Sequence, residues 1–377
     1  MYSKDQLTIK DLARSFAQNE VEPEAARRDR ESLFPTSLLR KLGEIGFMGM
    51  LVPEQYGGSG LDFMSYLLAL EEIAYSDASL AVAMSVNNSV VCGPLLTHGS
   101  EEQKMKYLPD LCNGKALGAF MLSEPNAGSD ASALQTKATK TESGWILNGS
   151  KAWITNGAFA KYFIVIAVTN PSAGKKGISA FIIDSTQKGL LIAPAEKKMG
   201  LRSSNTVMVT LQDVFVPKEN LLGAEGAGLK VALGGLDGGR VGIAAQALGM
   251  AQRALDESIK YSKERITFGK RIGEHQSIAT YLAEMETRVQ ASRLLINRAA
   301  SKIMSLQKAT LESATAKLFT TENAVWICDK AVQIHGGYGY TSDYVVERLY
   351  RDVRVTTIYE GTSEIQRIVV TRELLGQ

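Results

Sequence analysis

Glu360 is the residue in this sequence best placed for acid–base chemistry. It follows an apolar stretch, precedes Gly361, and stands just before residues Thr362 and Ser363, which are able to cap a helix. A carboxylate shielded from water at such a junction has a raised pKa and can act as a general base near neutral pH. The same position also suits a glutamate in the first turn of a helix, where the helix dipole favours negative charge. Position alone leaves both interpretations open.

Two strings in the middle of the chain could hold a planar, polar ligand. In MLSEPNAGSD, residues 121–130, small side chains would let backbone N–H groups approach a phosphate or a polar ring. The same letters also suit a simple turn between a helix and a strand. In KAWITNG, residues 151–157, Trp153 could either cover a planar cofactor or fill the core.

A third string, LDGGRVG at residues 236–242, falls in a helical pattern. Each glycine costs a helix about 1 kcal/mol relative to alanine, so something must compensate. Close approach of another helix or of a ligand would do so, and the local sequence does not separate these alternatives.

Two more strings follow in the last third of the chain. In RITFGK, Arg265 and Phe268 could grip a diphosphate and an adenine. Alternatively, Gly269 could end a helix beside a solvated arginine. In QIHGGYGY, His335 is predicted to be a structural residue rather than a catalyst.

The composition excludes several classes of function. Of the 377 residues, 45% are apolar and 22% are charged, which argues against disorder and fibrous repeats. Lys and Arg together number 42 and Asp and Glu 40, so the net charge of +2 offers no one-sided field for nucleic acid. No window is expected to be apolar enough to span a membrane, and the first residues lack the apolar core of an export signal.

Cysteine and histidine usage argues against metal chemistry. The three cysteines are odd in number and far apart, which predicts buried thiols in a reducing compartment. No His/Cys cluster has metal-ligand spacing, so no metal site is expected. The motifs GxGxxG, GxxxxGK[ST] and GxSxG are also absent, leaving a nicotinamide site, a P-loop and a hydrolase elbow unsupported.

Changes in periodicity divide the chain into three segments. Residues 1–118 carry apolar positions at helical spacing. Residues 119–223 contain short Val-, Ile- and Thr-rich runs, and Asn148-Gly149 between two of them predicts a β-hairpin. Residues 224–377 return to long, alanine-rich helical patterns. The predicted order is a helical domain, a small antiparallel β domain and a second helical domain.

Taken together in this order, the strings resemble the motif series of the acyl-CoA dehydrogenases over essentially the whole chain. The similar stretches are LVPEQYGG, LSEPNAGSD, KAWITNG, MGLRSSNT, RITFGKRI, QIHGGYGY and IYEGTSEIQR. Ser85 to Ser89 and the DGGR string look most like short-chain, butyryl-type members. The resemblance implies an α+β fold with an N-terminal α-helical domain, a middle antiparallel β domain and a C-terminal four-helix bundle. It also implies a homotetramer built as a dimer of dimers.

The resemblance further implies non-covalent FAD and a set of site residues. Ser129, Asp237, Arg240 and Gly361 would contact the acyl-CoA substrate. The residues that would reach the FAD of a neighbouring subunit are Arg265, Phe268, Gln276, Gln333, Gly336 and Gly337. The implied cofactor-binding residues are Phe120, Leu122, Ser123, Gly128, Ser129, Trp153, Ile154, Thr155, Arg265, Phe268, Gln276, Gln333, Gly336, Gly337, Thr362 and Glu364.

In the mechanism that the resemblance implies, Glu360 removes the α-proton of an acyl-CoA while the β-hydrogen leaves as hydride to flavin N5. The thioester oxygen would be stabilised by the Glu360 N–H and a flavin ribityl hydroxyl. Some branches of the family carry the catalytic glutamate at the position of Gly239, where glycine cannot act as a base. Electrons would pass to electron-transfer flavoprotein, in the bacterial cytoplasm or in the mitochondrial matrix. A cyclic or dicarboxylic substrate, and an oxygen-using oxidase or monooxygenase, remain alternatives.

Overall fold

The structure is a computed structural model that describes residues 2–376, and its first part is helical. Ser3 and Ser100 each open a helix with a reciprocal capping box, and Asp62 and Asp77 cap two others through their carboxylates. The helices are α1 (Lys4–Phe16), α2 (Ala25–Glu31), α3 (Thr36–Glu44), α4 (Phe63–Ser76), α5 (Ala78–Val86), α6 (Gly93–His98) and α7 (Glu101–Cys112).

The middle part forms one eight-stranded sheet, which begins at Gly118. Most neighbouring strands are antiparallel, as predicted, although the first and second strands each run parallel to the fourth. The strands are β1 (Gly118–Met121), β2 (Lys137–Lys140), β3 (Gly144–Thr155), β4 (Tyr162–Val168), β5 (Ile178–Asp184), β6 (Leu190–Ile192), β7 (Thr206–Pro217) and β8 (Leu221–Leu222). Their order is β6-β7-β3-β2-β4-β5-β8, with β1 beside β4.

The predicted hairpin at Asn148-Gly149 is wrong, because both residues lie inside the single strand β3. The register between β3 and β7 shifts there, opposite Asp213, whose φ of 51° marks a bulge on β7. The Asn148 side chain donates to the Asp213 carboxylate and accepts from its backbone N–H, each at 2.9 Å. The side chain of Asn148, a residue type that favours turns, therefore links β3 to β7. A second register shift follows between Lys151 and Ile154, on β3 itself.

The last part is again helical. The long helix α11 contacts α9, α10 and α13, which gives the predicted bundle. Its elements are α8 (Gly228–Gly234), α9 (Leu236–Glu264), α10 (Gln276–Met304), α11 (Thr310–His335), α12 (Val345–Val353) and α13 (Ser363–Leu375), with a small ribbon of β9 (Ile266–Thr267) and β10 (Lys270–Arg271).

The first and last parts share one hydrophobic core. Buried side chains of α4, such as Leu67 and Leu70, belong to the same cluster as Val241 and Leu248 of α9. Within residues 2–376, the helical stretch Ala78–His98 is long and apolar enough to cross a membrane, contrary to expectation. However, 67% of its most apolar window is buried inside the fold, as in the core helix of a globular protein. The shared core fixes α4 and α5 against α9, where the candidate site lies.

Candidate active site

The Glu360 carboxylate lies on a tight turn between two helical segments. After the 3₁₀ turn Arg354–Thr357, the chain passes through Glu360 and Gly361, with φ of 53° and 90°, and enters α13. Thr362 caps α13, as predicted, because its side chain accepts a hydrogen bond from the helix backbone. Glu360 precedes this cap, so the interpretation that places it in the first turn of a helix is wrong.

The partly buried Glu360 side chain faces the helix α9. A Cβ atom at Gly239 would come within 2.9 Å of its Oε2 atom. Two cations lie nearby, Arg240 on α9 and Lys317 on α11. Burial raises the pKa of Glu360 above its ordinary value, while the positive charges of Arg240 and Lys317 partly oppose that rise. Burial thus favours the protonated form of Glu360 more than water would.

One helical turn beyond Gly239, Gly242 faces the side chains of α4 and α5. A Cβ atom at Gly242 would lie 3.4 Å from the Tyr66 hydroxyl and 3.7 Å from both Leu70 and Ser85. The hydroxyls of Tyr66 and Ser85 lie 2.9 Å apart, within hydrogen-bond distance. Gly239 and Gly242 of the LDGGRVG string therefore allow neighbouring side chains to approach α9 closely, and the room beside Gly242 is about that of one carbon atom.

Asp237 and Arg240, both predicted to contact substrate, lie together at the start of α9. Arg240 donates to the Asp237 carboxylate at 3.0 Å, and the second carboxylate oxygen accepts from Thr310 at 2.9 Å. The buried Nε atom of Arg240 has no acceptor within the described part of the chain. An orphaned buried donor calls for a partner, which a ligand in the adjoining space would supply.

The LSEPNAGSD loop is anchored by a buried ion pair. Lys151 is fully buried, and its Nζ donates to the Glu124 carboxylate at 2.8 Å and to the Leu122 carbonyl at 3.1 Å. Glu124 also accepts the backbone N–H groups of Gln135 and Thr136. Burial lowers the pKa of Lys151 to about 8. The loop is thus tied at both of its ends to one point on β3.

Trp153 is not a core residue, because 64% of its surface is exposed. It sits with a φ of 61° at the second bulge of β3, which turns its ring out of the sheet. The next residue, Ile154, is buried in the sheet core, while Thr155 is half-buried. The N–H of Ala152 donates to the Ser123 carbonyl at 2.9 Å, so the two predicted cofactor strings are brought together.

The other predicted residues of this region vary in exposure. Gly128 and Ser129 are exposed, and a Cβ atom at Gly128 would meet nothing within 4 Å. The half-buried members are Phe120, Leu122 and Ser123. This loop therefore offers accessible backbone beside the exposed face of Trp153.

A second group of predicted residues meets at the far end of α9. Arg265, Gly336 and Gly337 line one cavity of about 450 Å³. The Arg265 guanidinium lies 5.7 Å from the ring centre of Tyr338. Neither Gly336 nor Gly337 would bring an added Cβ within 4 Å of another atom, so the backbone is open to a ligand.

Three other predicted residues do not line that cavity. Phe268 is 96% exposed, and Gln276 and Gln333 are also exposed. The helix α9 ends at Glu264, and Phe268 and Gly269 form the turn of the β9–β10 ribbon with φ of 51° and 78°. Gly269 is therefore not a helix C-cap.

His335 has the structural role that was predicted. Its Nδ1 lies 2.8 Å from the Ala331 carbonyl, and its ring stacks on Tyr261 with 4.3 Å between ring centres. The ring is buried, and burial lowers the pKa of His335. These contacts satisfy Nδ1 and pack the ring, which also lines the cavity of Arg265.

Sequence reasoning missed three buried residues of the site, Lys151, Lys317 and Gln366. Lys317 and Gln366 hold the carbonyls of the Glu360 turn, close to the predicted Gly361 and Thr362. The predicted Glu364 is exposed in the first turn of α13. For Lys151 and Lys317 a signal existed, since each lysine interrupts an otherwise apolar or small-residue run on a predicted element.

The exposed features suit a dinucleotide cofactor with a planar ring. Trp153 presents an aromatic face, the loop around Gly128 presents small residues, and Arg265 places a positive charge in a cavity with an open backbone. These residues fit FAD.

Comparison with known proteins gives a consistent result along the chain. Three family models match it: acyl-CoA dehydrogenase N-terminal domain at residues 3–115, middle domain at 119–214 and C-terminal domain at 226–375. The chain is 47% identical over 367 residues to the mitochondrial short-chain specific acyl-CoA dehydrogenase of Rattus norvegicus, covering 97% of this chain and 89% of the relative.

Two solved structures share the fold. Butyryl-CoA dehydrogenase from Megasphaera elsdenii has a TM-score of 0.97 and 43% identity, covering 100% of this chain and 99% of its own. A chain from a study of the electron transferring flavoprotein of Acidaminococcus fermentans has a TM-score of 0.98 and 45% identity, with 100% and 99% covered. The matched models, the level of identity and the shared three-part architecture show that this chain belongs to the acyl-CoA dehydrogenase family.

Proposed function

We propose that this chain converts an acyl-CoA thioester to the trans-2-enoyl-CoA, with Glu360 as the base that removes the α-proton. The observation that carries this role is the Glu360 carboxylate, which faces Gly239 beside Arg240 and Lys317 with a raised pKa. A raised pKa makes the carboxylate a stronger proton acceptor than an ordinary glutamate. The enzyme is an FAD-dependent acyl-CoA dehydrogenase, and its electrons pass to electron-transfer flavoprotein.

Exposed features of the middle and last parts support a place for the cofactor. FAD, when bound, would supply the hydride acceptor for the β-hydrogen. Trp153 and the loop around Gly128 would hold the ring, and the Arg265 cavity would hold a dinucleotide end contributed by a neighbouring subunit. Exclusion of water by a bound substrate would strengthen the pull of nearby N–H groups on the thioester oxygen.

A short acyl chain fits the space beside α9. Gly239 and Gly242 are three residues apart, or about 4.5 Å along a helix axis. Beyond Gly242, the Tyr66 and Ser85 hydroxyls close the space. The room beside Gly242 is about that of one carbon atom. It supports a short acyl chain, in line with the short-chain and butyryl names of the relatives.

The same geometry disfavours a dicarboxylic substrate. The side chains nearest to Gly242 belong to Tyr66, Leu70 and Ser85, and none of them carries a positive charge to pair with a second carboxylate. Two reaction rates distinguish this proposal from its alternatives. The rate of flavin reduction tests for a cyclic substrate, and the rate of reoxidation in air tests for oxygen-using chemistry. A panel of acyl-CoA thioesters should favour butyryl-CoA in anaerobic flavin bleaching, and the reduced enzyme should reoxidise slowly in air.

We also propose a homotetramer built as a dimer of dimers. Exposed apolar side chains on α10 and α13 support it, since such surfaces favour burial between subunits. They include Leu294, Ile368, Leu374 and Leu375. Light scattering coupled to gel filtration should give four times the chain mass of 40.8 kDa. We also place the protein in the bacterial cytoplasm or the mitochondrial matrix, since its relatives include a Bacillus subtilis protein and proteins named as mitochondrial.

The Glu360→Gln variant tests the central role. It should retain FAD, because the side chain faces α9 rather than the Trp153 loop. Flavin reduction by butyryl-CoA should slow by about 10² to 10⁴, the usual effect of removing a general base. The absorption spectrum of the purified variant controls for cofactor content. Bleaching at the parent rate would remove Glu360 from the mechanism.

A further inference from the structure

Two fully buried side chains grip the turn that carries Glu360. Lys317 of α11 donates from Nζ to the Gly361 carbonyl at 2.7 Å. Gln366 of α13 donates from Nε2 to the Glu360 carbonyl at 3.1 Å and to the Gly361 carbonyl at 3.0 Å. The Gly361 oxygen therefore uses both of its lone pairs on these two side chains.

The turn needs such support. Glu360 has a φ of 53°, a left-handed conformation that costs a non-glycine residue roughly 1–2 kcal/mol. It persists only where its surroundings fix it. Gln366 packs so closely that a Cβ atom at Gly361 would come within 2.6 Å of its Nε2. Glycine is thus required at 361 both by its φ of 90° and by this contact.

Fixing the carbonyls also aims the amide groups. A peptide plane holds its C=O and N–H in opposite directions, so the Gly361 N–H points away from the side chain that binds the Glu360 carbonyl. Neither Glu360 nor Gly361 donates its N–H to an acceptor within residues 2–376. These donors are left available beside the carboxylate.

Lys317 adds a charge that Gln366 lacks. The groups that face Glu360 are Lys317, Arg240 of α9, and the neutral phenols of Tyr66 and Tyr359. Burial lowers the pKa of Lys317 to about 8, although the nearby Glu360 opposes this change. Arg240 also lowers the pKa of Lys317, and the carboxylates of Glu322 and Glu364 raise it.

We propose that Lys317 is a positioning residue for the dehydrogenation: through the Gly361 carbonyl it fixes the turn that bears Glu360, and its buried positive charge keeps that carboxylate ionised. Gln366 fixes the same turn without supplying charge. This inference rests on the proposed role of Glu360 as the base. Substitutions of Lys317 should therefore change the pH dependence of the rate, whereas a substitution of Gln366 should change only its maximal value.

Three variants separate hydrogen bonding from charge. Lys317→Met removes both, Lys317→Gln keeps a donor without the charge, and Gln366→Met removes the amide donors without changing the charge. Lys330→Met is the matched control, since it deletes a lysine from the same helix 13 residues away, about 20 Å along its axis. Flavin content and Tm of each purified variant show that it is folded.

The first measurement is the anaerobic rate of flavin reduction by butyryl-CoA from pH 5 to 9. The acid limb of the pH–rate profile is the range in which the rate rises as Glu360 loses its proton. Both Lys317 variants should move this limb to higher pH by about one unit or more, because removing a nearby cation raises the pKa of a carboxylate. Lys317→Met and Gln366→Met should also lower the maximal rate, by about tenfold or more. Gln366→Met and Lys330→Met should leave the limb in place.

The second measurement does not depend on turnover. Crotonyl-CoA binding is followed by calorimetry in two buffers of different ionisation enthalpy, which reports proton uptake as the product meets Glu360. The pH at which uptake is half-maximal should rise in both Lys317 variants and stay unchanged in Gln366→Met. If either lysine variant folds and shows the parent's acid limb and proton uptake, the inference is wrong. Failure of Glu360→Gln to slow flavin reduction would instead overturn the proposed function itself.

Discussion

The carboxylate of Glu360 and the backbone of Gly239 approach so closely that a Cβ atom at position 239 would lie 2.9 Å from Oε2. Position 239 therefore has room for the tip of the Glu360 carboxylate, the proposed base, but not for a side chain of its own. A side chain at 239 would have to displace that carboxylate.

Gly239→Ala should therefore displace the base. The added methyl group would push the Glu360 carboxylate from its position, and flavin reduction by butyryl-CoA should slow by about tenfold or more. FAD content should not change. Gly238→Ala is the control, since its Cβ would meet only the Phe63 ring at an ordinary 3.6 Å. Equal rates for the two variants would contradict the contact.

Gly242→Ala should shorten the acyl space. Its Cβ would lie 3.4 Å from the Tyr66 hydroxyl, a tight contact at the proposed end of the pocket. One methylene in an apolar pocket changes selectivity by about 10- to 200-fold. We expect kcat/KM for hexanoyl-CoA to fall at least about tenfold more than kcat/KM for butyryl-CoA. A uniform loss across the two thioesters would place the acyl chain elsewhere.

Lys151→Met should loosen the loop beside Trp153. It leaves the Glu124 carboxylate buried without its cation, and breaking such a pair costs about 3–5 kcal/mol. We expect a lower Tm and loss of FAD during gel filtration. Lys140→Met removes an exposed partner of Glu225 and should change little. Adding Glu124→Gln to Lys151→Met should recover part of the loss, and no recovery would show that the pair is not the cause.

Asp352→Asn should give a pH-dependent change in stability. Burial raises the pKa of Asp352 from 3.8 to about 7, so its protonated form is favoured in the fold. The stabilisation by that proton is complete below 3.8 and is lost as the pH rises through 7. Asparagine keeps the neutral form at every pH and its oxygen can still accept from the Leu201 N–H, as Asp352 does.

The variant should accordingly gain stability over the parent at pH 8 and gain less at pH 5.5. The expected difference is about 1 to 4 kcal/mol, since one pKa unit corresponds to about 1.4 kcal/mol. Thermal unfolding at both pH values measures it. Asp343→Asn, at an exposed position, is the control and should show no such difference. If Asp352→Asn gained the same stability at both pH values, the raised pKa of Asp352 would be disproved.

The sequence predicted much of this arrangement because several determinants are local. The helix patterns and strand runs predicted the three-part order. The position of Glu360 alone left two interpretations open, and its role as a base was predicted from the family resemblance. The hairpin at Asn148-Gly149 failed because turn preference is a local property, whereas the bond between Asn148 and Asp213 joins residues 65 positions apart.

The supporting residues of the site were hidden for the same reason. Lys317 and Gln366 reach the Glu360 turn only after two separate helices pack around it. Arg265 and Gly336 likewise meet only because α9 and α11 end at the same level. Side-chain chemistry that depends on tertiary packing leaves no spacing pattern to be recognised.

The paired bulges of β3 and β7 have a consequence for insertions and deletions. The extra residue at Asp213 offsets the strands by one position, and the extra residue at Trp153 restores the alignment, so that Ile154 again pairs with Val207. Deleting Trp153 would remove the extra residue, so that Ile154 would follow Ala152 directly and still lie opposite Val207. Lys151 and Ile154 would then alternate regularly with Ala152 and keep their buried faces. A one-residue deletion at this site should therefore remove the exposed indole ring while leaving the strand pairing on either side unchanged.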